Sequence, residues 1–261
     1  MDLKIKNKVA LVLASSKGLG QAIAVSLAAE GAKVAVTGRS QADVEATVAK
    51  ITAQGGQAMS LVWDLYDQSL IESKIAEVEK QLGPIDILVN NTGGPPPTTA
   101  ANQSSDLWQQ NFNNLVLSII KITDRVLPGM KERAWGRIIT STSSGVVAPI
   151  PNLAISNTLR SALIGWSKTL SNEVAKHGIT VNIILPGRIA TDRIGQLDRA
   201  KAERENKSFD DVTRESVATI PMGRYGTPKE YGDVAAFMAS DLASYMTGTL
   251  VRVDGGAFAG H

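Results

Sequence analysis

Apolar residues along this chain fall into two alternating patterns. Short, mostly apolar runs stand at Val9–Ala14, Ala32–Thr37, Ala58–Trp63, Ile85–Val89, Gly136–Thr142, Ile179–Leu185 and Leu250–Val253. Their lengths, and the glycine, proline or small polar residues that close them, predict strands buried on both faces. Between them lie longer stretches with apolar residues three and four apart, the spacing that puts side chains on one face of a helix. Leu19, Ile23 and Leu27 show it first, and Gly31 closes that helix. Further helices are predicted over 41–53, 69–81, 105–132, 153–177 and 228–240. Strands alternating with helices imply an α/β fold, a Rossmann-like, doubly wound parallel sheet with helices on both faces. No Pro/Ser/Gly-rich linker divides residues 1–261, which are expected to form a single domain.

The first strand–turn–helix–strand unit carries the chemistry. Its turn, Ser15-Ser16-Lys17-Gly18-Leu19-Gly20, is small-residued and holds one cation. The N-terminus of the following helix offers unpaired N–H groups and a partial positive charge, a seat for a pyrophosphate. A glycine there lets a phosphate approach where a Cβ would block it. The G-x-G-x-x-G fingerprint is half matched, because Ile23 stands where the third glycine would. A tight connection without a ligand would use the same residues. Arg39 follows the second strand, nineteen residues beyond Gly20. An acid at that place suits the ribose 2′-hydroxyl of NAD, whereas an arginine suits a 2′-phosphate. Lys17 and Arg39 therefore favour NADP(H) over NAD(H), unless they are solvated surface charges.

Composition narrows the rest. A formal net charge of +2, with scattered basic residues, gives no argument for nucleic acid. Cysteine is absent, which excludes thiolate catalysis and disulfides, and the two histidines, His177 and His261, make a metal centre improbable. The apolar run after Met1–Lys8 is too short for a signal peptide or a membrane span and leads straight into the turn. The expectation is a soluble, cytoplasmic protein with a small-molecule carbonyl or alcohol as partner. In parallel sheets, ligands bind outside the carboxyl ends of the strands, where Lys17, Asn91, Ser143 and Pro186-Gly187 would converge. Residues 189–219 interrupt the alternation with a charged segment, expected to be a partly helical lid or a plain surface excursion.

Six motifs occur in order: DILVNN at 86–91, LPGMKERAWGRII at 127–139, GITVN at 178–182, PGRIATD at 186–192, RYGTPKE at 224–230 and VDGG at 253–256. With them the chain resembles the short-chain dehydrogenase/reductase family along its whole length, and within it the 3-oxoacyl-ACP reductases. The resemblance implies an oxidoreductase whose turn Ser15–Gly20 cradles the cofactor phosphates. It further implies that Asp64 and Leu65 meet the adenine and that Asn91 and Gly93 lie along the cofactor. Ile189 would hold the nicotinamide carboxamide through its backbone. A homo-oligomer, tetramer or dimer, formed through the two long helices is also implied.

The same resemblance exposes departures. The family's first glycine falls at Ala14. Its catalytic asparagine and serine match Asn114 and Ser143, but its Tyr-x-x-x-Lys pair falls on Ser156 and Arg160. Reduction of a ketone by hydride leaves an alkoxide that must gain a proton. A phenol near a cation can give it, and a serine hydroxyl is far too weak an acid. Arg160 lies one helical turn from Ser156, can reach ribose hydroxyls and can stabilise an oxyanion. Tyr225 is a remote alternative acid. Three readings stay open: an NADPH-dependent carbonyl reductase with Asn114, Ser143, Ser156 and Arg160 as its catalytic set; an NADP(H)-binding protein without turnover, as sensor or oligomer partner; and a structural module whose nucleotide site is lost.

Overall fold

A computed structural model describes residues 2–259; His261 lies outside the described residues. Seven strands form one parallel sheet: β1 (Val9–Val12), β2 (Lys33–Gly38), β3 (Gln57–Val62), β4 (Ile87–Asn90), β5 (Gly136–Ser141), β6 (Ile179–Pro186) and β7 (Leu250–Val253). Their order is β3-β2-β1-β4-β5-β6-β7. The chain starts in the middle of the sheet, winds out to β3 and crosses back to β4. The order thus reverses between β1 and β4, the place where a crevice opens in such sheets.

Among the described residues, nine α-helices flank the sheet: α1 (Gly18–Ala29), α2 (Gln41–Ala53), α3 (Ile71–Leu82), α4 (Ser105–Phe112), α5 (Ser118–Glu132), α6 (Ala154–Val174), α7 (Asp192–Glu205), α8 (Phe209–Ala218) and α9 (Pro228–Met238). Alternation along β1 divides the core. Ala10 and Val12 pack with Ile23 and Leu27 of α1, Val44 and Ile51 of α2, and Ala235 and Met238 of α9. Val9 and Leu11 face Ile75 of α3, Ile122 and Val126 of α5, and Leu170 of α6. Both faces are therefore buried, as the apolar strands require. Gly232 lets α9 lie against α1, because a Cβ there would come within 2.5 Å of the Ala22 carbonyl oxygen.

The single helix expected over 105–132 is two helices joined by a π-helical turn, Asn113–Leu117. Such a turn takes in one more residue than an α turn and re-aims the backbone without ending the helix. The charged stretch after β6 folds as α7 and α8, more ordered than its composition suggests. No described helix is long and apolar enough to cross a membrane.

Candidate functional site

At the carboxyl ends of β1, β4, β5 and β6 the chain encloses a cleft of about 660 Å³. Its floor begins at the turn after β1. Ala14 has φ of +45°, a left-handed conformation uncommon without glycine. Two carbonyls of that turn, those of Leu13 and Ala14, accept hydrogen bonds from Asn91 Nδ2 at 3.2 and 3.1 Å. Asn91, at the end of β4, thus fastens the turn from across the switch point. Gly20 closes the packing. A Cβ on it would lie 2.4 Å from the Ala14 carbonyl oxygen and 2.8 Å from Asn91 Nδ2.

The residues expected from sequence separate into those that reach the cleft and those that support it. Lys17, Gly18, Leu19, Gly20, Arg39, Asn91, Gly93, Ser143, Ser156, Arg160 and Ile189 all line it. Ser15 does not. Its side chain is buried, donating to the Val12 carbonyl at 2.6 Å and accepting from the Thr37 N–H at 2.9 Å, so it splices β1 to β2. Ser16 is tied outward through its carbonyl, which accepts from Thr47 Oγ1 at 2.9 Å and Gln21 Nε2 at 3.3 Å. Asp64 and Leu65 also lie outside the lining, Leu65 buried in the core and Asp64 exposed, accepting from the Tyr66 N–H at 3.1 Å. Asn114 stands in the π turn, half-buried and outside the lining, its carbonyl accepting from Ser118 Oγ at 2.7 Å.

The end of the cleft nearest the turn is built from α1. No side chain caps this helix, whereas Ser40, Ser104, Ser208 and Thr227 cap α2, α4, α8 and α9. The first-turn N–H groups of α1 are thus open toward the cleft, a cradle for an anion. A Cβ on Gly18, whose φ is +58°, would meet only Thr191 Cγ2 at 3.9 Å and would project into this space. Lys17 pairs with Asp43 at 2.9 Å, holding that carboxyl below its usual range. Both side chains are exposed enough that the pair is weak and Lys17 can turn to another anion.

The inner end is built around Arg160. Its guanidinium is buried, 6% exposed, and among the described residues donates only to uncharged acceptors: Gly93 O (3.1 Å), Thr92 O (3.3 Å), Thr92 Oγ1 (3.4 Å) and Ser141 O (3.4 Å). Burial lowers its pKa, the Tyr231 and Tyr66 phenols oppose that, and the charge of Arg193 adds to it. An arginine nevertheless stays protonated. Ser143 Oγ accepts from the Gly145 N–H at 3.1 Å, leaving its own hydrogen to donate. Ser156, 8% exposed, lines the cleft with no hydrogen-bond partner for its hydroxyl among the described residues. Thr142 Oγ1 is likewise without a partner.

Ile189 owes its place to pairing on its other side. The carbonyl of Arg188 and the N–H of Ala190 bond Gly226 at 2.9 and 2.8 Å. In such a parallel bridge the N–H and C=O of the middle residue, Ile189, point the opposite way.

No tyrosine of the described residues takes the missing place on α6. Tyr225 donates to Asp198 Oδ2 at 2.7 Å, and Asp198, 1% exposed, also holds Arg188 at 2.6 Å. This knot fastens α7 to the end of β6. Burial, then the Asp198 bond, push the Tyr225 phenol above its ordinary pKa. Tyr231 is fully buried behind the sheet, bonded to Ser141 Oγ at 2.9 Å, and burial pushes its pKa up strongly. Tyr66 places its hydroxyl beside Gly93. Sequence reasoning passed over Arg193 and Thr142, both in the lining. Arg193 directly follows the PGRIATD motif, which was the available signal.

Comparison with known proteins agrees with this architecture. A family model described as enoyl-(acyl carrier protein) reductase matches residues 13–257. The 3-oxoacyl-[acyl-carrier-protein] reductase of Escherichia coli (strain K12) is 34% identical over 258 residues, 98% of this chain and 99% of that one. Among solved structures, YwfH, an NADPH-dependent reductase involved in bacilysin biosynthesis, superposes with a TM-score of 0.92 at 31% identity, covering 97% of this chain and 99% of that one. The L-sorbose reductase from Gluconobacter frateurii, complexed with NADPH and L-sorbose, gives 0.93 at 29% identity, with both chains covered completely. With a seven-stranded sheet, a glycine turn at its switch point and relatives matched from end to end, the chain belongs to the short-chain dehydrogenase/reductase family of oxidoreductases.

Proposed function

We propose that the protein is an NADP(H)-dependent reductase that delivers hydride to a substrate carbonyl at the inner end of the cleft, without a tyrosine acid. One observation carries the reading: a buried cation, Arg160, and two hydroxyls, Ser143 and Ser156, line the same cleft as an open phosphate turn. Bound NADPH supplies the hydride.

The chain's own residues divide the remaining work. The N–H groups at the start of α1, with Lys17, hold the pyrophosphate, and Arg39 holds the 2′-phosphate. Asn91 keeps the turn in shape, and the backbone of Ile189 meets the carboxamide. Ser143 donates a hydrogen bond from its free O–H to the carbonyl oxygen, and Ser156 orders a water that gives the alkoxide its proton, the hydroxide left behind exchanging with solvent. Arg160 stabilises the developing oxyanion in a site of low dielectric, where such a charge counts most. Replacing a positioned general acid by water costs on the order of 10²–10⁴ in rate, roughly 3–5 kcal/mol of barrier. A slow enzyme is therefore expected. It acts in the cytoplasm as a homo-oligomer through the α5 and α6 faces.

Fluorescence titration with NADPH and with NADH, followed by turnover on a panel of carbonyls, tests this. Micromolar NADPH affinity, weaker NADH affinity and a Kd at least about tenfold higher for NADPH in Arg39→Asp are expected, a change of about 1.4 kcal/mol. NADPH oxidation that depends on substrate and disappears in Arg160→Met completes the case. Failure to bind either nucleotide overturns it. Tight binding without turnover favours the second reading, a cofactor-binding protein without catalysis, for which Ser156 in the tyrosine's place is the motivating observation.

A further inference from the structure

The cations of the cleft do not all stand at the turn. Lys17 and Arg39 stand at the end assigned to the cofactor phosphates. Two further arginines, Arg160 and Arg193, stand at Gly93 and Gly94. Arg160 Nη2 donates to the Gly93 carbonyl, and Arg193 Nη2 lies 3.6 Å from the position a Cβ on Gly94 would take. Consecutive residues of one rim thus carry two guanidinium groups on the same cleft. Arg160 has no carboxylate partner, and Arg193 makes no ion pair or hydrogen bond among the described residues.

Other features point the same way. Among the described residues, Asp192 is the one acid in the lining, and it pairs with neither arginine. Arg193 belongs to the first turn of α7, whose N-cap residue, Thr191, makes no side-chain cap bond, so the positive end of that helix also faces the cleft. Thr142 presents a buried hydroxyl with no partner in the same lining. Like charges gathered at a cleft with low-dielectric walls repel one another, and an anion bound between them removes the conflict.

We propose that the substrate is a small carbonyl compound bearing its own anionic group, a carboxylate or a phosphate, which Arg193 and Arg160 bind together. This rests on the reductase reading above. Arg193 acts as the specificity residue: it closes over the anion from α7 while Arg160 holds it from below. A neutral acyl chain would leave both guanidinium groups unmatched, the kind of mismatch a site built for a polar group rejects strongly.

The test compares matched pairs: pyruvate with its methyl ester, and dihydroxyacetone phosphate with dihydroxyacetone. Wild-type kcat/KM should favour one charged member over its neutral partner by at least about tenfold, and the pair that shows it distinguishes carboxylate from phosphate. In Arg193→Ala that ratio falls toward one through KM, and Arg193→Lys restores part of it. Equal treatment of both pairs overturns the proposal. So does an Arg193→Ala protein that keeps the ratio and loses NADPH affinity, which would make Arg193 a cofactor ligand. Calorimetry of oxamate and of inorganic phosphate against the NADPH-loaded protein supplies a readout free of catalysis. If no carbonyl is turned over, the reductase reading fails while anion binding that is lost in Arg193→Ala still upholds this site; absence of anion binding overturns it.

Discussion

Gly20→Ala probes how the turn after β1 is held. The added methyl would meet the Ala14 carbonyl oxygen at 2.4 Å, Asn91 Nδ2 at 2.8 Å and Ser15 Cα at 2.9 Å. Two of those atoms are backbone, so no rotamer change relieves the clash. Overpacking of this kind costs about 1–3 kcal/mol. Displacing Asn91 loses its bonds to the Leu13 and Ala14 carbonyls, worth about 1 kcal/mol each. The loss is therefore about 3–5 kcal/mol, and at about 2–4 °C per kcal/mol for a domain of this size Tm should fall by about 6–20 °C. Gly18→Ala is the control. Its methyl finds open space near Thr191, and the cost is the left-handed φ alone, about 1–2 kcal/mol. That methyl projects into the proposed pyrophosphate seat, so NADPH affinity should drop at least about tenfold with a milder Tm change. Calorimetric melting and NADPH fluorescence titration measure the two effects separately. A Gly20→Ala protein melting within about 1 °C of wild type would refute the account of the turn.

Other perturbations reach the remaining parts of the site. Ser156→Tyr, one helical turn from Arg160, should raise kcat for NADPH oxidation by about 10²–10⁴ if proton delivery limits the reaction; no gain would place the limit elsewhere. Tyr225→Phe removes a donor from the buried carboxylate of Asp198, a loss of about 1–3 kcal/mol, and should speed limited proteolysis within 192–219; an unchanged cleavage rate would mean that the knot does not hold α7. Arg224 first, then the backbone of Thr227, lower the pKa of Glu230 from 4.5 to about 2. A depressed carboxyl pKa contributes stability that is present above 4.5 and is lost as pH falls toward 2. The urea midpoints of wild type and Glu230→Gln should therefore differ at pH 7 and converge across that window, and a gap that stays constant with pH would exclude the pair as its source.

The sheet and the helices beside it were legible because the five inner strands are buried on both faces and those helices carry an apolar face, both local signals, whereas the edge strands β3 and β7 are partly exposed. The π turn at Asn113–Leu117 was not, since no glycine or proline marks it and the residues around it are ordinary helix formers. Ser15 looked like a phosphate ligand by its place in the turn, yet its hydroxyl is taken up by Val12 and Thr37, the latter twenty-two residues away. Similarly, the Arg188–Asp198–Tyr225 knot joins segments that, read in order, suggested a partly helical lid or a plain surface excursion but not the buried ion pair that fastens it. Arg160 was found through the spacing of a known motif, but that its partners are all uncharged emerges only from the packing of Thr92, Gly93 and Ser141 around it.

Asn91 has a consequence for how such chains are found. Because its amide enforces the Ala14 turn from a neighbouring strand, the left-handed backbone no longer depends on glycine at that position. The shape of the turn is then held by two distant residues instead of one. A search that demands the glycine fingerprint letter by letter would discard this protein, while a search that pairs a small residue at 14 with an asparagine after the fourth strand would retain it and any sibling that made the same exchange.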